Sequence, residues 1–357
     1  FNSLFQLLAI HLAGSPALGA AARLLFMPDL FNYWLTGVAK SELTIVSTSQ
    51  MYNPAKKRWA TELLDKFGLP ASILAEIVQP GTLLGPALAE VAEATGIGDV
   101  PVYATACHDT AAAVAAVPAE GGDWCYISSG TWSLMGLELD EPVINDKVLE
   151  LTLTNEIGAE GKIRLLKNIA GLWLLQECRR AWALAGREYS YAELAALAAD
   201  ARPFSAIIRP DAFLEPGGLP ERIAGYCAQT GQAAPAEPGE MSRAILESLA
   251  LRYRQVLESL ETLVGRRINV IHIVGGGSKN QLLNQFVADA TGRTVVAGPS
   301  EATAAGNILV QAMGAGVLSG LKEAREVVKR SFEVTVLESR SSAGWDAAYE
   351  KFRGLQA

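Results

Sequence analysis

The chain is poor in cysteine, in charge and in histidine, and each shortage narrows what it can be. Its four cysteines, Cys107, Cys125, Cys178 and Cys227, stand far apart and form no C-x-x-C pair. That spacing suits neither a disulfide framework nor a zinc site, and it points to a reducing, cytoplasmic setting. Only 19% of the residues are charged, with a net charge of -8, which argues against a general nucleic-acid or anionic-membrane surface. No apolar run reaches the roughly 18 residues of a membrane span, and the apolar start "FNSLFQLLAIHLAG" carries no positive leader. There is no repeat of fixed period and no low-complexity tract.

What is present is an apolar, glycine-rich chain. Half of the 357 residues are hydrophobic and 33 are glycine, the profile of a packed α/β protein long enough for two domains. Residues 1–65 read mostly as helix, with Gly14 and Gly37 as stops, Asp29 as a cap and "NPAKKRWATELLDKFGLP" as a helix entered at Asn53-Pro54. "EIVQPGTLLGPALAEVAEATG" reads as a loop leading into a short helix, and "DVPVYATACHDT" as a strand. "EGGD" at 120–123 marks a domain boundary. Beyond it "WCYISSGTWSLMGLEL" reads as a β-hairpin, and residues 202–239 as a Pro/Gly-rich loop. Two strand–turn–helix units, from Val270 and from Thr294, follow a long helix.

Four segments carry candidate chemistry. In "ACHDTAAAVAAVP" Asp109 stands where a strand passes into a helix. It is either an N-cap accepting N–H bonds from Ala111 or Ala112, or a general base in a cleft. His108 is a core histidine or a sugar ligand. "YISSGTWSLMG" is either an ordinary hairpin or, through Ser128, Ser129, Gly130 and Thr131, a phosphate cradle. "RLLKNIAGLWLLQE" places Asn168 as a cap or a ligand, and Gln176 within the following helix as an exposed neutral residue or a contact. "VIHIVGGGSKNQLLNQF" ends a buried strand in Gly275-Gly276-Gly277. The run matches neither G-x-G-x-x-G nor a P-loop, so it is a structural turn or a close approach to a nucleotide.

In this order, together with "MPDLFNYWLTG" and "AGPSEATAAGNILVQ", these segments resemble the FGGY family of carbohydrate kinases, in its branch acting on L-rhamnulose. The resemblance spans nearly the whole chain. It implies an α/β fold of two RNase H-like domains of the actin and hexokinase superfamily, closing a central cleft, with residues 1–118 in the first and 119–357 in the second. It implies ATP with Mg2+, transfer to a ketose (L-rhamnulose first, L-fuculose or L-xylulose as alternatives), and no nucleic-acid or membrane partner. Asp109 would be the base. His108, Thr110 and Asn168 would hold the sugar, and Thr131, Gln176 and Gly276 the nucleotide. The family's opening D-x-G-x-x-x-x-R segment does not occur, so the expectation is a first domain that starts part-way in. A remnant that only binds sugar or nucleotide is the competing expectation.

Overall fold

The computed structural model describes residues 2–341 and 343–355. Its N-terminal part is helical with small sheets. Strand β1 (Lys40–Glu42) runs parallel to β4 (Glu76–Val78), β2 (Tyr52–Asn53) pairs with β3 (Arg58–Trp59), and β5 (Thr82–Pro86) lies antiparallel to β6 (Pro101–Ala104). A local core of Leu4, Leu7, Met51, Leu64, Leu69 and Ile73 joins the first helix, Ser3–Leu12, to these pieces. The face of the helix Met27–Thr36 is less covered: Phe31 and Trp34 are exposed and meet edge to face.

The C-terminal part is built on one seven-stranded sheet. Its strands are β7 (Trp124–Ser129), β8 (Ser133–Leu139), β9 (Thr154–Ile157), β10 (Ile163–Ile169), β11 (Val270–Val274), β12 (Thr294–Ala297) and β13 (Thr335–Leu337), in the spatial order β13-β12-β11-β7-β8-β10-β9. β7, β11 and β12 are parallel and the rest pair antiparallel. One face is covered by the 27-residue helix Pro238–Val264, which starts with proline and a Glu237/Glu240 capping box and stops at left-handed Gly265. Its residues Leu246, Leu249, Leu257 and Leu260 join Ile127, Leu137, Leu165 and Ile271 in the main core. The other face packs on the helices Asp109–Ala115 and Ala302–Gly314 through Val114, Tyr126, Leu166, Val274 and Leu309.

Several local expectations are corrected. Residues 53–59 form the β2–β3 hairpin, and the helix starts only at Thr61. The stretch 76–86 is not a loop but contributes β4 and β5, and the loop 202–239 contains the helix Leu219–Gln229. Asp29 is not a cap: it sits inside its helix, buried, and its Oδ1 accepts the N–H of Glu42 at 3.0 Å. Among the described residues no helix is long and apolar enough to cross a membrane.

Candidate active site

Asp109 opens the helix Asp109–Ala115, and the residue at the cap position is His108, which makes no side-chain cap bond. The cap reading of Asp109 is thus overturned. Its Oδ1 accepts from the N–H of Thr110, its immediate neighbour, at 2.5 Å and from the Thr110 hydroxyl at 3.2 Å, not from Ala111 or Ala112. The carboxylate is 76% exposed, so its charge stays in contact with solvent and avoids the cost of burial.

That carboxylate stands in a cleft of about 660 Å³ lined by His108, Thr110, Ser128–Trp132, Asn168, Gly275, Gly276 and Thr303. Asn168 comes from within β10 and pairs with Leu134 of β8, so it caps no helix. The helix after it starts at Trp173. Two-residue periodicity puts Arg164, Leu166 and Asn168 on one face of β10, the face turned toward the helix Asp109–Ala115. Thr303, from the facing helix, donates its hydroxyl to the Asp109 carbonyl at 3.4 Å.

A second cavity of about 690 Å³ adjoins the first. Leu172, Leu175, Gln176, Tyr191, Ala195, Asn280 and Leu282 give it a mainly apolar wall. Gly130, Thr131 and Gly276 line both spaces and form the sill between them. All seven residues singled out in the sequence therefore line these two adjoining cavities: His108, Asp109, Thr110 and Asn168 the first, Gln176 the second, Thr131 and Gly276 both.

The triple glycine separates into structural and open positions. Gly275 has φ +86°, and a Cβ there would stand 2.9 Å from the Ser129 carbonyl oxygen. A Cβ on Gly277 would overlap the Ser129 side chain. Gly276 meets neither constraint: nothing lies within 4 Å of a Cβ placed on it, and the space it leaves is that of the two cavities.

Behind His108 lies a buried ion pair. Arg164 is fully buried and donates Nη2–H to Glu156 Oε2 at 3.0 Å, while its Nε–H and Nη2–H reach the Ile157 carbonyl. The same Nη2 lies 3.0 Å from His108 Nδ1. Burial, with the Arg164 charge next in weight, pushes the His108 imidazole below its ordinary pKa. Beneath this, Glu42 accepts the Cys107 N–H and the Thr44 hydroxyl, and Thr44 Oγ1 accepts the His108 N–H. Arg164, Glu156 and Thr303 escape a reading based on composition. Arg164 carries one legible signal, its place two alternations before Asn168 in the same strand.

Known proteins resemble the chain in sequence and in fold. The N-terminal domain of the FGGY family of carbohydrate kinases matches residues 4–116, and its C-terminal domain residues 125–315. The chain is 48% identical over 355 residues to the rhamnulokinase of Bacteroides thetaiotaomicron, a match covering 99% of this chain and 72% of that protein. It is 41% identical over 343 residues to the rhamnulokinase of Enterococcus faecalis, covering 95% and 68%. The fold superposes on the xylulose kinase of Lactobacillus acidophilus with a TM-score of 0.76 at 16% identity, over 99% of this chain and 71% of that one; at that identity the likeness speaks for the two-domain, actin- and hexokinase-like fold alone. The chain belongs to the FGGY family of carbohydrate kinases.

Proposed function

We propose that the chain phosphorylates a ketose with ATP, L-rhamnulose giving L-rhamnulose 1-phosphate and ADP. The names of its relatives support the substrate. The observation that carries the reading is the exposed carboxylate of Asp109, the one acid lining the cleft among the described residues, facing a sill that a second, apolar cavity shares. Such an arrangement seats a sugar and a nucleotide on either side of one boundary.

Phosphoryl transfer asks the protein for positioning and charge stabilisation rather than covalent chemistry. Asp109 takes the proton of the ketose's primary hydroxyl as that oxygen bonds to the γ-phosphorus, and the bond from phosphorus to the ADP oxygen breaks. His108, Thr110 and Asn168 hold the sugar. Thr131 meets the phosphates, Gly276 lets the nucleoside approach the backbone, and Gln176 contacts the nucleotide from the helix.

Magnesium suits this wall in one form. Among the described residues no group of three or more His, Cys, Asp or Glu side chains is placed to hold a metal, and Asp109 is the one carboxylate lining the cleft. Such a donor set fits an ion carried by the triphosphate and water, as magnesium commonly is, with Asp109 within its surroundings. Its chemistry would be to neutralise charge on the phosphates.

The test is a coupled ADP-release assay on a panel of L-rhamnulose, L-fuculose and L-xylulose. L-Rhamnulose is expected to turn over fastest, and Asp109→Asn to abolish turnover while sugar binding persists. Retention of most activity in that variant would overturn the base assignment, and a faster rate with another ketose would overturn the substrate.

A further inference from the structure

We infer that Arg164 is a positioning residue that locks His108 in its neutral Nε2–H tautomer, so that His108 serves the site as a hydrogen-bond donor beside Asp109 and not as a competing base. The inference rests on the kinase reading for its catalytic meaning, but its geometry stands apart from it.

The argument starts from donors and acceptors. A guanidinium has five N–H donors and no acceptor. With Arg164 Nη2 at 3.0 Å from His108 Nδ1, that ring nitrogen must accept, so it carries no proton and the proton of the neutral ring sits on Nε2. Nε2 is 3.6 Å from Asp109 Oδ1, too long for a hydrogen bond between them. The donor and the carboxylate therefore face the same cleft, spaced for a substrate oxygen to lie against both.

Arg164 is itself held. Glu156, nearly buried on β9, pairs with it, and the Ile157 carbonyl accepts from Nε and Nη2. The charged groups facing the imidazole are Arg164 on β10, Glu156 at 3.7 Å on β9 and Asp109 on its own helix, with Glu42 behind Thr44. Protonation at Nδ1 would set two donors against each other, while Glu156 neutralises the guanidinium without reaching hydrogen-bond distance of the ring. The buried pair lies within the sheet of the C-terminal part, and the Arg164–His108 contact joins it to the strand–helix junction that carries Asp109.

The experiment is 15N NMR of histidine-labelled protein without substrate. The chain has three histidines, and His11→Gln and His108→Gln variants assign the signals. His108 is expected as the Nε2–H tautomer, taking up its second proton only at a lower pH than an ordinary histidine does. Replacing Arg164 alone would leave Glu156 buried without its partner, so the comparison is the double variant E156Q/R164M, which removes both charges. In it His108 is expected to lose the single tautomer and to titrate closer to its ordinary range. The kcat is expected to fall about 10- to 100-fold, by analogy with the loss of a partner that orients a metal-bound histidine, with KM for ATP changed less than threefold and the acid limb of the pH–rate profile displaced upward. An Nδ1–H tautomer in the unmodified chain, or a folded double variant with unchanged histidine signals and pH profile, overturns the inference. The expected NMR result with no turnover of any ketose supports the lock and overturns the kinase reading instead.

Discussion

Gly306 and Ala112 touch backbone to backbone: a Cβ on Gly306 would collide with the Ala112 carbonyl oxygen. The helices Asp109–Ala115 and Ala302–Gly314 therefore cross at a distance that only glycine permits, and this crossing sets where Asp109 stands. Gly306→Ala is expected to destabilise by about 1–3 kcal/mol, the usual cost of overpacking, read as a lowered Tm. Because the strain falls one turn from Asp109, kcat should drop more than KM for ATP rises. An unchanged Tm would show that the crossing can yield.

The three consecutive glycines should behave differently. Gly277→Ala meets the Ser129 side chain and is expected to cost about 1–3 kcal/mol of stability. A Cβ on Gly276 has nothing within 4 Å, so in Gly276→Val stability is expected to stay within about 0.5 kcal/mol, while the added methyls intrude on the sill and raise KM for ATP roughly tenfold. Calorimetry and nucleotide titration on both variants read the contrast, and equal nucleotide affinity in Gly276→Val would remove that residue from the site.

Two buried carboxyls predict a pH dependence of stability. Burial, together with the neighbouring Glu42 charge, raises Asp29 from 3.8 to about 7, against the hydrogen bond from the Glu42 N–H, and burial raises Glu42 from 4.5 to about 7. Between about pH 4 and 7 the folded chain then binds more protons than the unfolded chain, so stability falls as pH rises through that window. Asn at position 29 keeps an acceptor for the Glu42 N–H without the charge. The stability of Asp29→Asn relative to the unmodified chain should therefore rise from pH 4 to 8, by a few kcal/mol at about 1.4 kcal/mol per pH unit. Urea melts at three pH values measure it; a difference independent of pH would contradict the raised pKa.

Asn168 and Gln176 should separate the two substrates. Asn168 lines the cleft with Asp109, and Gln176 lines only the adjoining cavity. Loss of a hydrogen bond worth about 0.5–1.5 kcal/mol corresponds to a few-fold to roughly tenfold weaker binding. Asn168→Ala is expected to raise KM for the ketose, and Gln176→Ala KM for ATP, each leaving the other nearly unchanged. Initial-rate kinetics with one substrate varied at a time decide it.

The long helices and the strand–glycine–helix units were legible because their signals are local, apolar residues at helical spacing and a closing glycine, whereas the proline and capping carboxylate that start the helix Pro238–Val264 read as part of the preceding loop. β4 and β5 were not, because β4 finds its partner 36 residues away, at Lys40, and nothing near Glu76 announces it. Asn168 reads as a cap because it precedes an apolar run, yet pairing with Leu134 draws it into a strand. Asp109 was legible as a strand–helix junction, but its choice between cap and base depends on a cleft assembled from β7, β10 and the helix Ala302–Gly314. Arg164 was hidden for the opposite reason. A charge in a strand reads as exposed, and only the fold reveals that a carboxylate and an imidazole wait for it.

The sill of Gly130, Thr131 and Gly276 also bears on selectivity between acceptors. On the proposed function, a nucleotide in the apolar cavity keeps its terminal phosphate within reach of whatever occupies the neighbouring cleft. Without a ketose that occupant is water, and the open carboxylate of Asp109 can deprotonate it as it would an alcohol. Slow ATP hydrolysis is then the background reaction to be expected in the absence of a ketose. On that reading a bound ketose would suppress it by taking the water's place, so the acceptor's own bulk would decide between hydrolysis and transfer.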